Sequence, residues 1–332
     1  MTRGLIWRPT DMLLSPSPCA PDTSSFPASG LFEALLDNGG HACLARLFST
    51  YPLKIVPVKC DGNPRVISLY LMGHGGGLVS RDVVSIKAQL RGGSIVVLKT
   101  QGTTKVFKTQ QAAQQMSTQL LDCYVHDDSF LVSVPDPTTC YRDSHLRQSQ
   151  TIHLSSPSAG CLLVDSYTCG RCTEAWNASR IHSTVQIFRQ GRLVLLENMD
   201  LESSSMATLA QKIGPRVGVF GTIILIGPQT QILRQHVQSL KQRLTFRNHK
   251  SAIQCPEDPV LVSVSDLSPA ADGALVRFSA SSVEDAFCLL AAILKPLAVE
   301  LNLLPCPYAD KVDPEALAAR AARSGSVFEK LS

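Results

Sequence analysis

The chain has 332 residues, which is enough to bury a sizeable core in one large domain or two smaller ones. Charged residues make up only 17% and the formal net charge is +4, too small an excess to indicate nucleic-acid binding. Aromatic residues, at 6%, offer no stacking platform for bases either. Eleven cysteines without a secretory signal predict free thiols in a reducing, cytoplasmic compartment.

The first thirty residues are rich in proline and serine. Their short apolar stretches are interrupted before they could form a signal-peptide core or a membrane span. The sequence therefore predicts a disordered N-terminal arm over residues 1–30. We expect a β-rich domain over residues 31–305 and a helical C-terminal tail over residues 306–332.

Short predicted strands follow one another through the region from residue 31 to residue 198. Apolar and polar residues alternate with a period of two over residues 65–71 and 84–90, and glycine, proline or asparagine marks most of the gaps between the predicted strands. No long helical pattern interrupts the series. This argues against a parallel α/β sheet and for a mainly β fold of stacked or sandwiched β-sheets. The predicted strands are Lys54–Val58, Ile67–Leu71, Val83–Leu90, Ile95–Thr100, Ser117–Val125, Phe130–Val134, Gln150–Leu154, Leu162–Tyr167, Ile181–Arg189 and Leu193–Glu197.

The few helices are predicted mostly in the C-terminal third. Apolar residues recur at helical spacing over residues 206–213 and again over 232–244, with a buried strand predicted between them over 217–226. A third helix is predicted to begin after Ser282, a suitable N-cap with Asp285 three residues on, and to kink or end at Pro296. Asp313-Pro314 opens a last, alanine-rich helix.

The apolar faces of these helices allow two interpretations. They either cover a sheet, which is the commoner arrangement, or dock a partner protein. Under the second interpretation, the candidate docking residues are Ile232, Leu240, Leu289 and Ile293.

A glycine-dense turn lies between two of the predicted strands, and it contains Gly75, Gly76 and Gly77. Glycine adopts backbone angles that a β-carbon forbids, and it lets another chain or an ion approach closely. His74 and these glycines resemble an esterase oxyanion loop, but the nucleophile elbow that such an enzyme needs is missing. Gly102-Thr103-Thr104-Lys105 likewise lacks the rest of a phosphate-binding loop, because Val106 follows the lysine.

Cys169-Gly170-Arg171-Cys172 has the spacing with which two thiolates hold one metal ion. A structural zinc site needs four ligands, and the chain has no second pair of this kind. Two free thiols are the simpler interpretation. The alternative is a stand-alone β-rich metal-binding protein that uses Cys169, Cys172 and nearby histidines.

Several segments, taken together and in order, resemble the urease accessory protein UreD family (UreH in some bacteria), in its fungal form. They are Tyr51-Pro52-Leu53-Lys54, the stretch from Gly75 to Asp82, the stretch from Gln101 to Phe107, Val134-Pro135-Asp136-Pro137 with Cys140-Tyr141 and Asp143, Gly170-Arg171 with Glu174 and Trp176, and the stretch from Gly191 to Glu197. The glycine that precedes the aspartate in the family's first glycine motif is Arg81 here.

The resemblance implies a β-rich, non-enzymatic scaffold. Such a protein forms a complex with UreF and the GTPase UreG and docks on apo-urease for nickel insertion. It implies no tightly bound cofactor, only transient nickel that moves through an internal passage. The passage residues that it implies are Asp82, Thr104, Lys105, Asp136 and Glu174, and its motif turns contain Gly75, Gly76, Gly77, Gly102, Gly170 and Arg171.

These residue types suit the transit of a divalent ion. Weak, separated oxygen ligands release an ion that a closed cage of cysteine and histidine would retain. Lys105 is the exception, because an ammonium group repels the ion. Our hypothesis is that Lys105 pairs with Asp82 or Asp136 and fixes the geometry of the loop.

Overall fold

The structure is a computed structural model, and it describes residues 28–59, 62–109, 116–169, 176–203, 217–248, 260–303, 306–315 and 318. The described residues form two β-sheets and two α-helices, α1 (Gln231–Asn248) and α2 (Val283–Glu300). Neither helix has the length and apolar character needed to cross a membrane. The mainly β fold of stacked sheets predicted from the sequence is confirmed.

Eighteen strands build the two sheets. In chain order they are β1 (Gly30–Leu36), β2 (Ala42–Ser49), β3 (Leu53–Lys59), β4 (Val66–Gly73), β5 (Gly77–Leu78), β6 (Val83–Leu90), β7 (Ile95–Thr100), β8 (Lys105–Val106), β9 (Ser117–Val125), β10 (Phe130–Ser133), β11 (Thr138–Cys140), β12 (His145–Leu154), β13 (Gly160–Thr168), β14 (Arg180–Arg189), β15 (Arg192–Glu202), β16 (Val219–Ile226), β17 (Val260–Asp266) and β18 (Gly273–Ala280).

Sheet A has seven strands in the order β15-β14-β12-β9-β6-β1-β2. Sheet B follows the order β17-β18-β16-β13-β10-β7-β4-β3, and the short strands β5, β8 and β11 extend it. The middle of each sheet is parallel: β6, β9, β12 and β14 run in one direction in sheet A, as do β4, β7, β10 and β13 in sheet B.

Parallel pairing without helical crossovers arises because the chain alternates between the sheets. After β6, β9 and β12 the chain crosses to sheet B, and each time it returns to sheet A beside the strand that it left. The crossover that a parallel pair requires is thus itself a strand. Alternating apolar residues predict strands but do not reveal their direction, so the sequence did not predict that the chain alternates between the two sheets.

The connections between the sheets differ at the two ends of the stack. At one end, the turn end, three tight turns follow β6, β9 and β12, and each is closed by a hydrogen bond between residues three apart. At the other end, the loop end, the connections are long and contain β5, β8 and β11. The family resemblance rests partly on glycine- and aspartate-containing segments between residues 75 and 143. Each of these segments that the structure describes lies at the loop end.

Two hydrophobic cores hold the layers together. The first fills the space between the sheets with the inward faces of strands such as β6, where Val84, Ile86, Ala88 and Leu90 are buried. The second lies between sheet B and the helices. Strand β13 is buried along its whole length because it contacts both cores. That double burial explains the apolar run from Gly160 to Val164 in its first half.

Helix α2 begins as predicted: the Ser282 hydroxyl accepts a hydrogen bond from the Asp285 amide at 3.1 Å. It does not end at Pro296 but continues to Glu300. The docking interpretation is wrong for Leu289 and Ile293, because both are fully buried in the second core. Ile232 is partly buried against the same core, and the side chain of Leu240 lies outside the described part.

The two predicted ends of the chain are only partly described. Ser29 and Gly30, assigned from the sequence to the arm, are buried against β6, while residues 1–27 lie outside the described part. Residues 306–312, assigned to a separate tail, pack on the second core, where Tyr308 is buried. The predicted helices over 206–213 and beyond Glu315 fall mostly outside the described residues.

Candidate functional site

The glycine-dense turn predicted from the sequence connects β4 to β5. Gly75 and Gly76 adopt positive φ angles of 72° and 75°, which glycine alone reaches at little cost. Gly77 is needed for a different reason, because a β-carbon there would collide with the carbonyl oxygen of Lys105 on the paired strand β8. The expectation of special backbone angles is therefore confirmed, while the close approach at Gly77 is that of strand β8 of the same chain, and an approach by another chain or an ion stays a prediction.

Asp82 closes the turn between β5 and β6. Its carboxylate accepts a hydrogen bond from the Val79 amide at 2.9 Å, and its own amide donates to the Val79 carbonyl at 3.0 Å. Arg81, which replaces the family's glycine, adopts a positive φ of 75°. The backbone of this turn thus keeps the left-handed conformation that a glycine would favour.

An inner cavity of about 300 Å³ opens between the two sheets at the loop end. Its lining extends from the exposed glycines Gly76 and Gly102, past Thr104, to the buried strand β13. Its walls are mostly apolar, and a few polar side chains converge in them. This combination is the usual form of a small-ligand site. The polar lining residues include Gln119, Gln148, Gln150 and Asp165.

Asp165 is the acidic residue in the lining of the inner cavity, and it lies on β13. Its carboxylate accepts hydrogen bonds of 2.9 Å from the Gln148 amide, the Tyr167 hydroxyl and the Ser183 hydroxyl. All three donors are neutral. Among the described residues, no ammonium or guanidinium group forms an ion pair with Asp165.

The electrostatic state of Asp165 follows from this environment. Burial raises the pKa of its carboxyl group above the usual value, and the hydrogen bonds from Ser183, Tyr167 and Gln148 oppose that shift. Burial, followed by the nearby charge of Asp165, also raises the pKa of the Tyr167 hydroxyl. Asp165 forms no ion pair among the described residues, although Lys99 also lines the cavity, and a cation that entered would add a compensating positive charge beside the carboxylate.

An outer cavity of about 460 Å³ lies on the other side of the segment Lys99–Gly102. This segment and Met72 line both cavities, so they form the wall between them. Asp136 lines the outer cavity and Pro135 the inner one. The amide of Asp136 donates to the Thr100 hydroxyl at 2.9 Å, which fixes the Asp136 loop to this wall.

The carboxylate of Asp136 is buried and paired. Lys311, from the segment after α2, contacts it through a hydrogen-bonded ion pair. The hydroxyl of Tyr308 donates to the Pro135 carbonyl at 2.7 Å. Burial, and then the charge of Asp136, raises the pKa of Tyr308.

The pairing hypothesis for Lys105 is wrong. Asp136 pairs with Lys311, Asp82 accepts its hydrogen bond from the Val79 amide, and the Lys105 side chain is exposed. Lys105 serves instead through its backbone, as part of β8 between β5 and β11.

The structure thus brings together some of the predicted site residues. Gly76, Gly77, Gly102 and Thr104 line the inner cavity, and Asp136 lies in the adjacent outer one. Asp82 and Lys105 line neither cavity. Gly170, Arg171, Cys172 and Glu174 lie outside the described residues.

The proposed metal pair of cysteines is only half described. Cys169 is buried at the end of β13, beside Cys140 of β11. Within the described residues, no group of three or more histidine, cysteine, aspartate or glutamate side chains is arranged to hold a metal ion.

Sequence reasoning missed Asp165. It lies in the predicted strand Leu162–Tyr167, where it is the one charged residue in a run that is otherwise apolar or neutral. A charge in such a run is rarely buried without a function or a partner. That contrast was the available signal.

Sequence comparisons relate the chain to known proteins. The family model described as "UreD urease accessory protein" matches residues 32–309. The chain is 27% identical to "Urease accessory protein D" of Oryza sativa subsp. indica, over 81% of this chain and 92% of that protein. It is 28% identical to "Urease accessory protein 4" of Cryptococcus neoformans, over 75% of this chain and 84% of that protein. It is 29% identical to "Urease accessory protein UreD" of Sorangium cellulosum, over 79% of this chain and 78% of that protein.

Proposed function

The chain belongs to the UreD urease accessory protein family, and we propose that within urease maturation it is a scaffold that helps deliver nickel to the apo-urease active site. The family is named for an accessory role and not for a catalytic one. The observation that carries the proposal is the inner cavity, which extends from the exposed loop end to the buried carboxylate of Asp165.

The residues along the cavity fit the transport of a cation better than its storage. Thr104 near the opening and Gln148 and Asp165 inside offer oxygen atoms of moderate affinity for a divalent ion. Nickel that entered would lose part of its hydration, and the uncompensated charge of Asp165 would offset that cost. Asp165 therefore joins Thr104 and Asp136 as a proposed passage residue.

The complex that we propose contains UreF, the GTPase UreG and apo-urease. The chain itself has no complete phosphate-binding loop, since Val106 follows Gly102-Thr103-Thr104-Lys105. Hydrolysis of GTP is accordingly assigned to the partner.

The test is urease activity in cells that lack this chain and are supplied with nickel. We expect the native chain to restore activity. We expect Asp165→Asn, which keeps the size of the side chain but removes its charge, to lower the restored activity by roughly 10-fold or more, as is common for residues that support a metal site.

Asp37→Asn is the matched control. Like Asp165, Asp37 is a carboxylate that accepts hydrogen bonds, in its case from the amides of Gly39 and His41, but it lies at the turn end. The control should restore activity as well as the native chain does. Full urease activity in cells without any copy of the chain would contradict the accessory role, and full activity with Asp165→Asn would contradict transport past Asp165.

A further inference from the structure

The segment after α2 lines one side of the outer cavity. We call residues Cys306–Val312 the strap. Pro307, Tyr308, Asp310 and Lys311 of the strap line the outer cavity, opposite the wall formed by Lys99–Gly102. The strap is therefore one side of the space into which Asp136 faces.

Two side chains fix the strap to the loop that holds Asp136. Tyr308 is buried, and its hydroxyl donates to the Pro135 carbonyl at 2.7 Å. Lys311 pairs with the Asp136 carboxylate. Tyr308 and Lys311 are thus the two anchors of the strap. They are joined by a tight turn, in which the Lys311 amide donates a hydrogen bond to the Tyr308 carbonyl at 3.1 Å, so both side chains leave or bind the Asp136 loop together.

Both anchors also contact Phe287 of α2. The Tyr308 ring stacks on the Phe287 ring with centroids 5.7 Å apart, and the Lys311 ammonium lies 5.3 Å from the centroid of the same ring. An ammonium group at that distance from an aromatic ring is attracted to it. Lys311 can therefore leave Asp136 without losing every favourable contact.

The Lys311 ammonium occupies the position that a cation would take at Asp136. Only 4% of the Asp136 side chain is exposed, so an incoming ion cannot share this carboxylate while the ammonium contacts it. Two positive charges at one buried carboxylate would repel each other strongly in surroundings of low polarity. Binding of nickel and docking of the strap thus exclude each other.

We propose that the strap regulates the nickel passage by competing with nickel for Asp136. This inference rests on the proposed nickel-delivery function. When the strap is docked, the outer cavity is closed at Asp136. When a partner or nickel displaces Tyr308 and Lys311, the carboxylate becomes available beside the wall that separates the outer cavity from the inner one.

The direct test is titration of the full-length protein with Ni²⁺ by calorimetry. Lys311→Met removes the ammonium but keeps the packing of the side chain, and we expect it to raise the affinity for Ni²⁺ by at least about 5-fold, the lower range of typical coupling between sites. Lys311→Arg, which keeps the charge, should bind as the native chain does. The gain should disappear in the double variant Lys311→Met with Asp136→Asn.

A second measurement avoids variants that leave the buried Asp136 carboxylate without its ion-pair partner. If the strap excludes nickel, nickel must loosen the strap to the same extent, because coupling between two equilibria is reciprocal. Ni²⁺ should therefore speed tryptic cleavage after Lys311 in the native chain but not in Asp136→Asn. Tyr308→Phe, which removes the hydrogen bond to Pro135 and leaves the charges intact, should speed the cleavage without nickel.

Each outcome decides one of the two proposals. Equal affinity of Lys311→Met and the native chain for Ni²⁺, or cleavage that nickel leaves unchanged, would overturn the competition at Asp136. In that case the urease test with the native chain and Asp165→Asn would still decide nickel delivery. A gain in affinity without any effect of the chain on urease would keep the competition and remove its role in delivery.

Discussion

At the scale of single residues, Asp165 and Asp37 are carboxylates in opposite environments. Burial raises the pKa of Asp165, whereas hydrogen bonds from the exposed turn at His41 and Gly39 lower the pKa of Asp37. A raised pKa means that the ionised form is less favourable in the folded chain than in the unfolded chain. Asp165 therefore lowers stability at neutral pH, and it is retained for another reason.

The pH dependence of stability gives a prediction for these two residues. The cost of ionising Asp165 is absent below its unfolded pKa of about 3.9 and complete above its raised folded pKa. We expect the stability of Asp165→Asn relative to the native chain to fall as the pH is lowered from 7 to 4. Asp37 stabilises the fold above its unfolded pKa of about 3.9 and loses this contribution as the pH falls from there through its lowered folded pKa, so the stability of Asp37→Asn relative to the native chain should rise below about pH 4 and stay constant between pH 7 and 4.

Urea unfolding of the three proteins at several pH values measures both slopes. Parallel pH profiles for Asp165→Asn and the native chain would show that Asp165 has the same pKa in the folded and unfolded states, and the burial argument would then be incorrect.

At the scale of elements, α2 is an amphipathic helix whose apolar face packs against the sheet beneath it. Leu289, Leu290, Ile293 and Leu294 face sheet B and α1 within the second core, whereas Val299 points away from it and is 73% exposed. The apolar face of α2 is thus used for packing within the chain. A partner that contacts α2 would meet its other face.

Alanine substitutions on α2 test this assignment. We expect Leu289→Ala to lower the free energy of unfolding by roughly 2–5 kcal/mol, because it removes a fully buried side chain and leaves a cavity. Val299→Ala, the control on the same helix, should change it by less than about 0.5 kcal/mol. Denaturant midpoints give both values. A small effect of Leu289→Ala would mean that this face is not packed against sheet B.

The elements also show which parts of the fold a sequence can predict. Strands β6 and β7 have the predicted boundaries because apolar and polar residues alternate in β6 and because β7 is an apolar run that begins after the turn at Gly92-Gly93; the predicted boundaries of β9 are also met. Strands β5 and β8 are too short to show a period, and they form because Gly77 permits close backbone pairing. The motif glycines in the sequence indicated the loop end of the site. The roles of Asp165 and the strap could be recognised only from the tertiary structure, because the sequence does not show that Lys311 reaches Asp136.

At the scale of the whole molecule, an outer edge of sheet A carries exposed apolar side chains. Strand β2 ends sheet A, and within the described residues no strand pairs with its outer side. Leu47 and Phe48 on this strand are 40% and 53% exposed. An unpaired edge with exposed apolar side chains is a place where chains associate.

Phe48→Lys should therefore reduce association without weakening the fold. A charge on an edge strand opposes pairing between chains, and an exposed site contributes little to stability. We expect less light scattering on heating and a free energy of unfolding within about 0.5 kcal/mol of the native value. Val299→Lys, at a more exposed site on α2, is the control and should leave scattering unchanged. Undiminished scattering with Phe48→Lys would show that association begins elsewhere.

The position of the strap in the chain has a consequence for biosynthesis. Every strand of both sheets, and α2 as well, precedes residues 306–312 and leaves the ribosome first. Because chains fold from the N-terminal side as they are made, the inner cavity and the loop that holds Asp136 can form before Tyr308 and Lys311 have left the ribosome. Each newly made molecule therefore passes through a state in which Asp136 faces solvent without its lysine. The interval is open to any cation or assembly partner present during translation.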